Sequence, residues 1–314
     1  MKNQNNTLPA RVEALDNWLK SHNKKVVVHN GIFHADDVLS VAVLRNLGRD
    51  GKDLKFEVIR TRDVKKYEGD SSALIIDVGG GIFDHHGKEA MERNGCFSFQ
   101  HCEGDDDVYC PPHCGLSLLM ETINWSLRAV CFDALDEVVC VTAFIDNGKE
   151  LPEGFENEFA FVNNFNPSWN EESDFDSKFM EVVDICTAII RRKIQKERAE
   201  FEALKVLDGL RLDEIMELPK AGIPWQNYIP KRSEKPKFVI YLGEDGKTYY
   251  LQCVPEVGDR FSKRIPHPKS WAEGKDVPSG NVFVHAGRFI SGWKTREDAL
   301  HAAELAIKLH KEGD

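Results

Sequence analysis

Two short apolar runs constrain the first half of the chain. Residues 25–29 read KVVVH and residues 73–78 read ALIIDV, and each run passes directly into a polar loop rich in His, Asp and Gly. Short β-branched runs bounded by loop residues read as buried strands. A helical pattern, Val38–Leu47, lies between them. Strand, helix and strand in that order predict a parallel α/β sheet, with function at the carboxyl ends of the strands.

The rest of the chain divides by pattern. Residues 115–131 and 134–145 read as apolar helices, although VVCVTAFI fits a strand equally well. An acidic, Asn-rich and aromatic connector runs to about Phe175, and a long helical pattern follows over Lys178–Leu207. From Lys237 the period changes to two. KFVIYLG and TYYLQCV flank Glu244-Asp245-Gly246-Lys247, a hairpin with an Asp-Gly turn. The run VFVHA (282–286) adds a strand, and Thr295 with Asp298 resembles the capping box of a closing helix. A length of 314 residues admits two domains. The expected organisation is an extension over 1–24, a first domain over 25–190, a helical linker over 191–220 and a second domain over 221–314.

Charge and composition exclude several classes. No apolar run approaches the ~18 residues that span a bilayer, and the polar N-terminus does not read as a secretory signal. A cytoplasmic protein with reduced thiols is expected. The net charge of −11 disfavours long duplex DNA as a partner. The charge is uneven, −15 over residues 1–190 and +4 over residues 191–314. An acidic half suits cations, and a mildly basic half suits an anionic partner.

Three clusters carry the candidate chemistry. They are His29-Asn30-Gly31-Ile32-Phe33-His34-Ala35-Asp36-Asp37, then Asp77 with three following glycines, then Asp84-His85-His86, with Asp146-Asn147-Gly148 further on. Mixed imidazole and carboxylate ligands without thiolates suit Mn²⁺, with Mg²⁺ and Zn²⁺ as less selective occupants. Six such ligands exceed the needs of one tetrahedral ion and fit two ions about 3.5–4 Å apart. Each cluster alone has an ordinary explanation. Asp36 or Asp37 can cap a helix, Asp-Asn-Gly is a common turn, and Gly79-Gly80-Gly81 is a weak phosphate-loop signal. Their joint occurrence in this order is the informative feature.

In that order HNGIFHADD, IIDVGG, FDHHG and AFIDNG resemble the DHH phosphoesterase superfamily. The chain is most similar to its melanocyte-proliferating-gene-one branch, often labelled "metal-dependent protein hydrolase" and known as 3′–5′ RNA exonucleases. VIRTRD (58–63), FNPSWN (165–170), LQCVP (251–255) and FVHAGRFISGWKTREDAL (283–300) carry the same resemblance, which spans about residues 25–308.

The resemblance implies an α/β fold: a parallel-sheet DHH-type metal-binding domain joined by a long helix to a smaller α+β substrate domain. It implies two divalent cations, Mn²⁺ foremost, held by His29, His34, Asp36, Asp77, His85 and Asp146, with Asp77 bridging. His86 would meet the scissile phosphate, so His86, Asp36 and Asp77 are the catalytic candidates. The superfamily's Gly-rich substrate loop has its counterpart in His285, Gly287, Arg288, Ser291 and Gly292. The loop between Asp77 and Asp84 is shorter than the branch usually has.

The expected substrate is a short single-stranded RNA or DNA. Pyrophosphate or another small phosphoester, such as a cyclic dinucleotide, is the alternative within catalysis, and a binding scaffold is the alternative outside it. Trp271, Trp293, Phe289 and Tyr249 are candidates for base stacking. The crowded Cys96, Cys102, Cys110 and Cys114, with His101 and His113, offer a structural Zn²⁺ site in an insertion over 93–114, although the spacings form no standard CxxC pairs. Nothing in the sequence excludes a homo-oligomer.

Overall fold

The computed structural model describes residues 7–49, 51–86, 111–127, 134–172 and 174–313. The chain divides into two compact units, Met1–Glu197 and Arg198–Asp314. The first is built on a parallel three-stranded sheet and the second on a mixed five-stranded sheet.

In the first unit β1 (Lys25–Val28) is the central strand, flanked by β2 (Glu57–Arg60) and β3 (Ala73–Ile75), all parallel. A strand with neighbours on both sides suits a run of valines, and Val26, Val27 and Val28 are fully buried. The helices are α1 (Leu8–Lys20), α2 (Ala35–Arg45), α3 (Gly115–Leu127), α4 (Asp136–Asp146) and α5 (Phe175–Asp208). One core joins Leu15 and Trp18 of α1 to Leu39, Leu118, Val139 and Phe179. Within the segment expected as an extension, residues 8–20 pack into the first unit. Helix α1 is part of this core, and Trp18 Nε1 donates to the Lys25 carbonyl at 2.8 Å, tying the helix to the first residue of β1.

The helix expected over 134–145 is present, and the strand alternative for VVCVTAFI is not: the run lies within α4, where Val138 through Phe144 are all buried. A helix apolar on every side loses the 3.6-residue signal and looks like a strand. Helix α5 starts at Phe175 and runs unbroken for 34 residues. Its first half buries Val182, Cys186 and Ile190 in the first unit, while Ala203 and Leu207 are buried with Trp225 and Val239 in the second. The expected linker thus contributes to a core.

The second unit orders its strands β4-β5-β6-β8-β7, where β4 is Ile215–Glu217, β5 Phe238–Leu242, β6 Tyr249–Cys253, β7 Asn281–Val284 and β8 Ile290–Trp293. The β5–β6 hairpin pairs Phe238 with Cys253 and Leu242 with Tyr249, and Gly246 takes φ +64° in its turn. Short helices α6 (Ile229–Arg232) and α7 (Lys269–Ala272) precede α8 (Arg296–Lys311). Thr295 caps α8, accepting a hydrogen bond from Asp298 N at 3.1 Å. Trp271 and Trp293 fill the core between α8 and the sheet, so neither can stack a base, and Tyr249 is packed against the same core. Among the described residues no helix is long and apolar enough to cross a membrane.

Candidate metal centre

Adjacent parallel strands deliver the first two groups. His29 follows β1 directly and Asp77 lies two residues beyond β3, which brings His29 Nε2 to 3.9 Å from Asp77 Oδ2. The loop from His29 to His34 is clamped at two points. Asn166 accepts from Phe33 N at 2.9 Å and donates to the Phe33 carbonyl at 2.8 Å. Arg60 donates to the Gly31 carbonyl at 2.7 Å and holds Asp176 at 2.8 Å, its guanidinium 4.5 Å from the Phe179 ring centre. His34 is the N-cap of α2, and Asp36 and Asp37 are buried in that helix's first turn. Unpaired N–H groups there favour carboxylates.

Asp77 adopts φ +57°, a left-handed conformation that costs a non-glycine residue about 1 kcal/mol or more. Gly79 and Gly80 follow at φ +78° and +71°. A Cβ on Gly79 would stand 2.4 Å from Val64 Cγ2, so close packing against Val64 and the positive φ both call for glycine. Asp77 N closes the reversal by donating to the Phe83 carbonyl at 3.0 Å, which returns Asp84-His85-His86 to Asp77.

Asp84 then fixes His86. One of its oxygens accepts from Gly80 N at 2.6 Å, while the other accepts from His86 N and pairs with His86 Nδ1, both at 2.8 Å. This leaves the other ring nitrogen of an exposed imidazole free of Asp84. His85 Nε2 lies 3.1 Å from Asp77 Oδ1 and 2.9 Å from Asp146 Oδ2. Asp146 ends α4, where the next residue, Asn147, donates to the carbonyls of Ala143, Pro112 and His113 at 2.9, 3.2 and 3.3 Å.

The side chains form overlapping sets whose ligand atoms lie within 4.8 Å of one another: His29–His34–Asp37, His34–Asp36–Asp146, Asp36–Asp37–Asp77 and Asp77–His85–His86. All six expected ligands are brought together, and Asp37 joins them. Asp37 Oδ2 lies 2.7 Å from His29 Nε2 and also accepts from His34 N. Its signal in the sequence was its place beside Asp36 in the first turn of a helix.

Both oxygens of Asp36 and of Asp77, with Asp37 Oδ1, Asp146 Oδ2 and His85 Nε2, are buried without a hydrogen bond of acceptable geometry. Polar atoms that approach within 3 Å without pointing hydrogens at each other suit ligands converging on cations. The electrostatics agree. Burial pushes the Asp36 carboxyl well above its ordinary range, reinforced by Asp77, Asp37 and Asp146. Burial opposes protonation of His85, yet Asp146 and Asp77 raise it to about 10. A divalent ion would offset the crowded negative charge and take the place of that proton. The donor set therefore fits a pair of hard or borderline divalent cations.

Gly115, at the start of α3, permits this approach. A Cβ there would meet Asp77 Cβ at 2.9 Å and Asp36 Oδ2 at 3.4 Å. Cys114 is buried beside the cluster, and burial followed by Asp36 and Asp146 pushes its thiol up well above the ordinary value. A thiol held neutral there, with its backbone N–H bonded to Ser117 Oγ at 2.9 Å, is poorly placed as a zinc ligand. His113, equally buried, lies 3.0 Å from the same hydroxyl, and burial lowers it to about 4. Cys96, His101, Cys102 and Cys110 lie outside the described residues.

In the second unit His285, Gly287 and Arg288 form the β7–β8 turn, with Arg288 at φ +57° and His285 Nδ1 accepting from Gly287 N at 2.9 Å. Ser291 and Gly292 do not belong to that turn. They lie inside β8, where Ser291 is fully buried and its Oγ accepts from Trp293 Nε1 at 2.8 Å. A Cβ on Gly292 would stand 2.6 Å from the Phe283 ring, so this glycine makes room for a side chain on the neighbouring strand.

A family model described as an uncharacterised protein family, UPF0160, and labelled MYG1 exonuclease matches residues 25–99 and 126–307. The MYG1 exonuclease of Mus musculus is 28% identical over 335 residues, covering 90% of this chain and 84% of the mouse protein. A MYG1 protein of Schizosaccharomyces pombe is 28% identical over 325 residues, covering 90% and 97%. A solved exopolyphosphatase-related protein from Bacteroides fragilis aligns over 97% of each chain at 13% identity, with a TM-score of 0.24 that is too low to define a shared fold.

Proposed function

Since the chain belongs to the MYG1 exonuclease family, UPF0160, we propose that it is a DHH-type phosphodiester hydrolase dependent on two divalent cations. Its substrate in this reading is a short single-stranded RNA or DNA, shortened from the 3′ end. The observation that carries the reading is the convergence of buried, unpartnered carboxylate oxygens of Asp36, Asp77 and Asp146 with His85.

His29, His34, Asp36, Asp77, His85 and Asp146 would hold the ions, with Mn²⁺ the first candidate. Bound there, the pair supplies Lewis acidity toward phosphoryl oxygens and lowers the pKa of bound water. Asp77, held by a strained backbone just beyond the end of β3, would contribute its carboxylate to holding the pair. Asp37 Oδ2 stands beside His29 Nε2 and accepts from the His34 backbone N–H, so it would face the same ion as His29 and His34. His86, gripped at Nδ1 by Asp84, turns its remaining nitrogen toward the phosphate and stabilises charge growing on its oxygens. His285, Gly287 and Arg288 remain candidates for holding the substrate, with Zn²⁺ in the insertion, a cytoplasmic location and self-assembly as further expectations.

The test is a metal-resolved activity screen. Purified protein with Mn²⁺, Mg²⁺ or chelator is given 5′- and 3′-labelled RNA and DNA, a cyclic dinucleotide and pyrophosphate. Mn²⁺-dependent shortening of oligonucleotides from the 3′ end is the expected result. Hydrolysis of pyrophosphate alone would move the assignment to a small phosphoester, and inertness on every substrate would favour a binding scaffold.

A further inference from the structure

Trp169 is 98% exposed, yet it is not on a loose segment. It occupies the second position of a turn closed by Glu171 N donating to the Ser168 carbonyl at 2.9 Å, and Ser168 N donates back to Glu171 Oε2 at 3.2 Å. Three residues before it, Asn166 is locked onto both backbone groups of Phe33. Phe33 lies between the metal-site candidates His29 and His34, and its neighbour Ile32 is 61% exposed. Three residues of chain span at most about 11 Å, so Trp169 is tethered no further than that from Asn166, whose side chain anchors the loop that carries those histidines. Exposing a whole tryptophan on a braced turn contributes nothing to a core. The chemistry that does use such a ring is stacking against another flat ring.

We propose that Trp169 is the stacking platform for a nucleobase of the substrate whose phosphate lies at the metal centre. The inference rests on the phosphodiesterase reading and assigns it a base-bearing substrate. Glu171, Glu172 and Asp174 follow Trp169 in sequence, so this stretch offers a ring face and no cation, and the phosphate would have to be held at the metal centre. Stacking of this kind tolerates any base and contributes to binding more than to the chemical step. It also replaces the platform that Trp271 and Trp293 cannot form from inside the second core.

The experiment compares wild type, Trp169→Ala and Trp169→Phe on a five-nucleotide RNA and on the same oligomer with abasic residues at its 3′ end. Affinity is read by fluorescence anisotropy with Ca²⁺ in place of Mn²⁺, and turnover is measured with Mn²⁺. Trp169→Ala should weaken binding of the base-bearing oligomer about five- to hundredfold, mainly through KM. Trp169→Phe should recover most of that loss, and the three proteins should handle the abasic oligomer alike. Equal affinity of wild type and Trp169→Ala for the base-bearing oligomer overturns the proposal, as does an equal loss on both oligomers. A wild type that binds with this Trp169 dependence but hydrolyses neither oligomer would retain the platform and discard the hydrolase.

Discussion

Asn166 satisfies both the N–H and the carbonyl of Phe33 with one side-chain amide, at 2.9 and 2.8 Å, across 133 residues of chain. Without that amide the loop between His29 and His34 would keep Arg60 on Gly31 but lose its anchor next to His34. A backbone pair left unsatisfied costs about 1–3 kcal/mol per group. Asn166→Ala should therefore lower stability by about 2 kcal/mol and weaken metal binding about tenfold. Thermal unfolding with and without Mn²⁺, together with calorimetric titration of the ion, checks both. Asn166→Asp, which keeps the acceptor and loses the donor, should fall between the two.

Gly115 separates site geometry from helix stability. Gly115 opens α3 and its backbone is not left-handed, so alanine fits the conformation and Gly115→Ala should leave the fold intact. Its Cβ would be 2.9 Å from Asp77 Cβ, and Asp77 would have to move. We expect near-native unfolding temperatures with metal affinity reduced about tenfold or more, and activity reduced with it. Unchanged titration curves would show that the site absorbs the methyl group.

Asp77 and His86 should fail differently. Asp77→Ala is expected to lose metal and activity together. His86, exposed and held by Asp84, should be dispensable for metal, so His86→Ala should keep both ions and bind an oligonucleotide nearly normally. Its turnover should fall about 10²- to 10³-fold, the usual cost of removing a contact made as charge develops. Metal analysis after dialysis, paired with kcat, distinguishes the cases. A His86→Ala protein that loses metal would make this residue a ligand.

His267 gives the second unit a pH dependence. It is fully buried, stacked at 5.5 Å on Phe238 and 6.1 Å from Trp271, with Nε2 3.3 Å from the Leu251 carbonyl. Burial lowers it to about 4, against a small opposing effect of the Leu251 carbonyl and with Arg288 adding to the decrease. The unfolded chain protonates first on acidification, near pH 6.5. Stability from this group is therefore complete above about 6.5 and is lost as pH falls toward 4, by at most about 3 kcal/mol. Near-UV circular dichroism of Trp271 and Trp293 during unfolding from pH 4.5 to 7.5 should show the slope. His267→Gln should flatten it, whatever its effect at neutral pH.

Much of the candidate site was legible because its groups sit at the ends of local elements. A β-branched run stops at His29, another stops before Asp77, and glycines mark the reversal that carries Asp84-His85-His86 back. Those signals need only nearest neighbours and period. The β5–β6 hairpin and the Thr295 cap were readable for the same reason. The stretch over 134–145 was readable as an apolar helix, but because Val138 through Phe144 are all buried it carries no stripe that would exclude a strand.

Which distant residues meet is set by packing across the first unit. Asn166 and Phe33, Gly115 and Asp77, and Arg60 and Gly31 are joined by folding alone, and no local pattern in the sequence marks them as partners. Burial likewise moved Ser291 from an expected substrate loop into a strand, and moved Trp271 and Trp293 into a core, because sheet pairing and helix packing set exposure, not residue type. Local chemistry along the chain named the ligand types. Long-range packing determined their geometry and left Trp169 outside it.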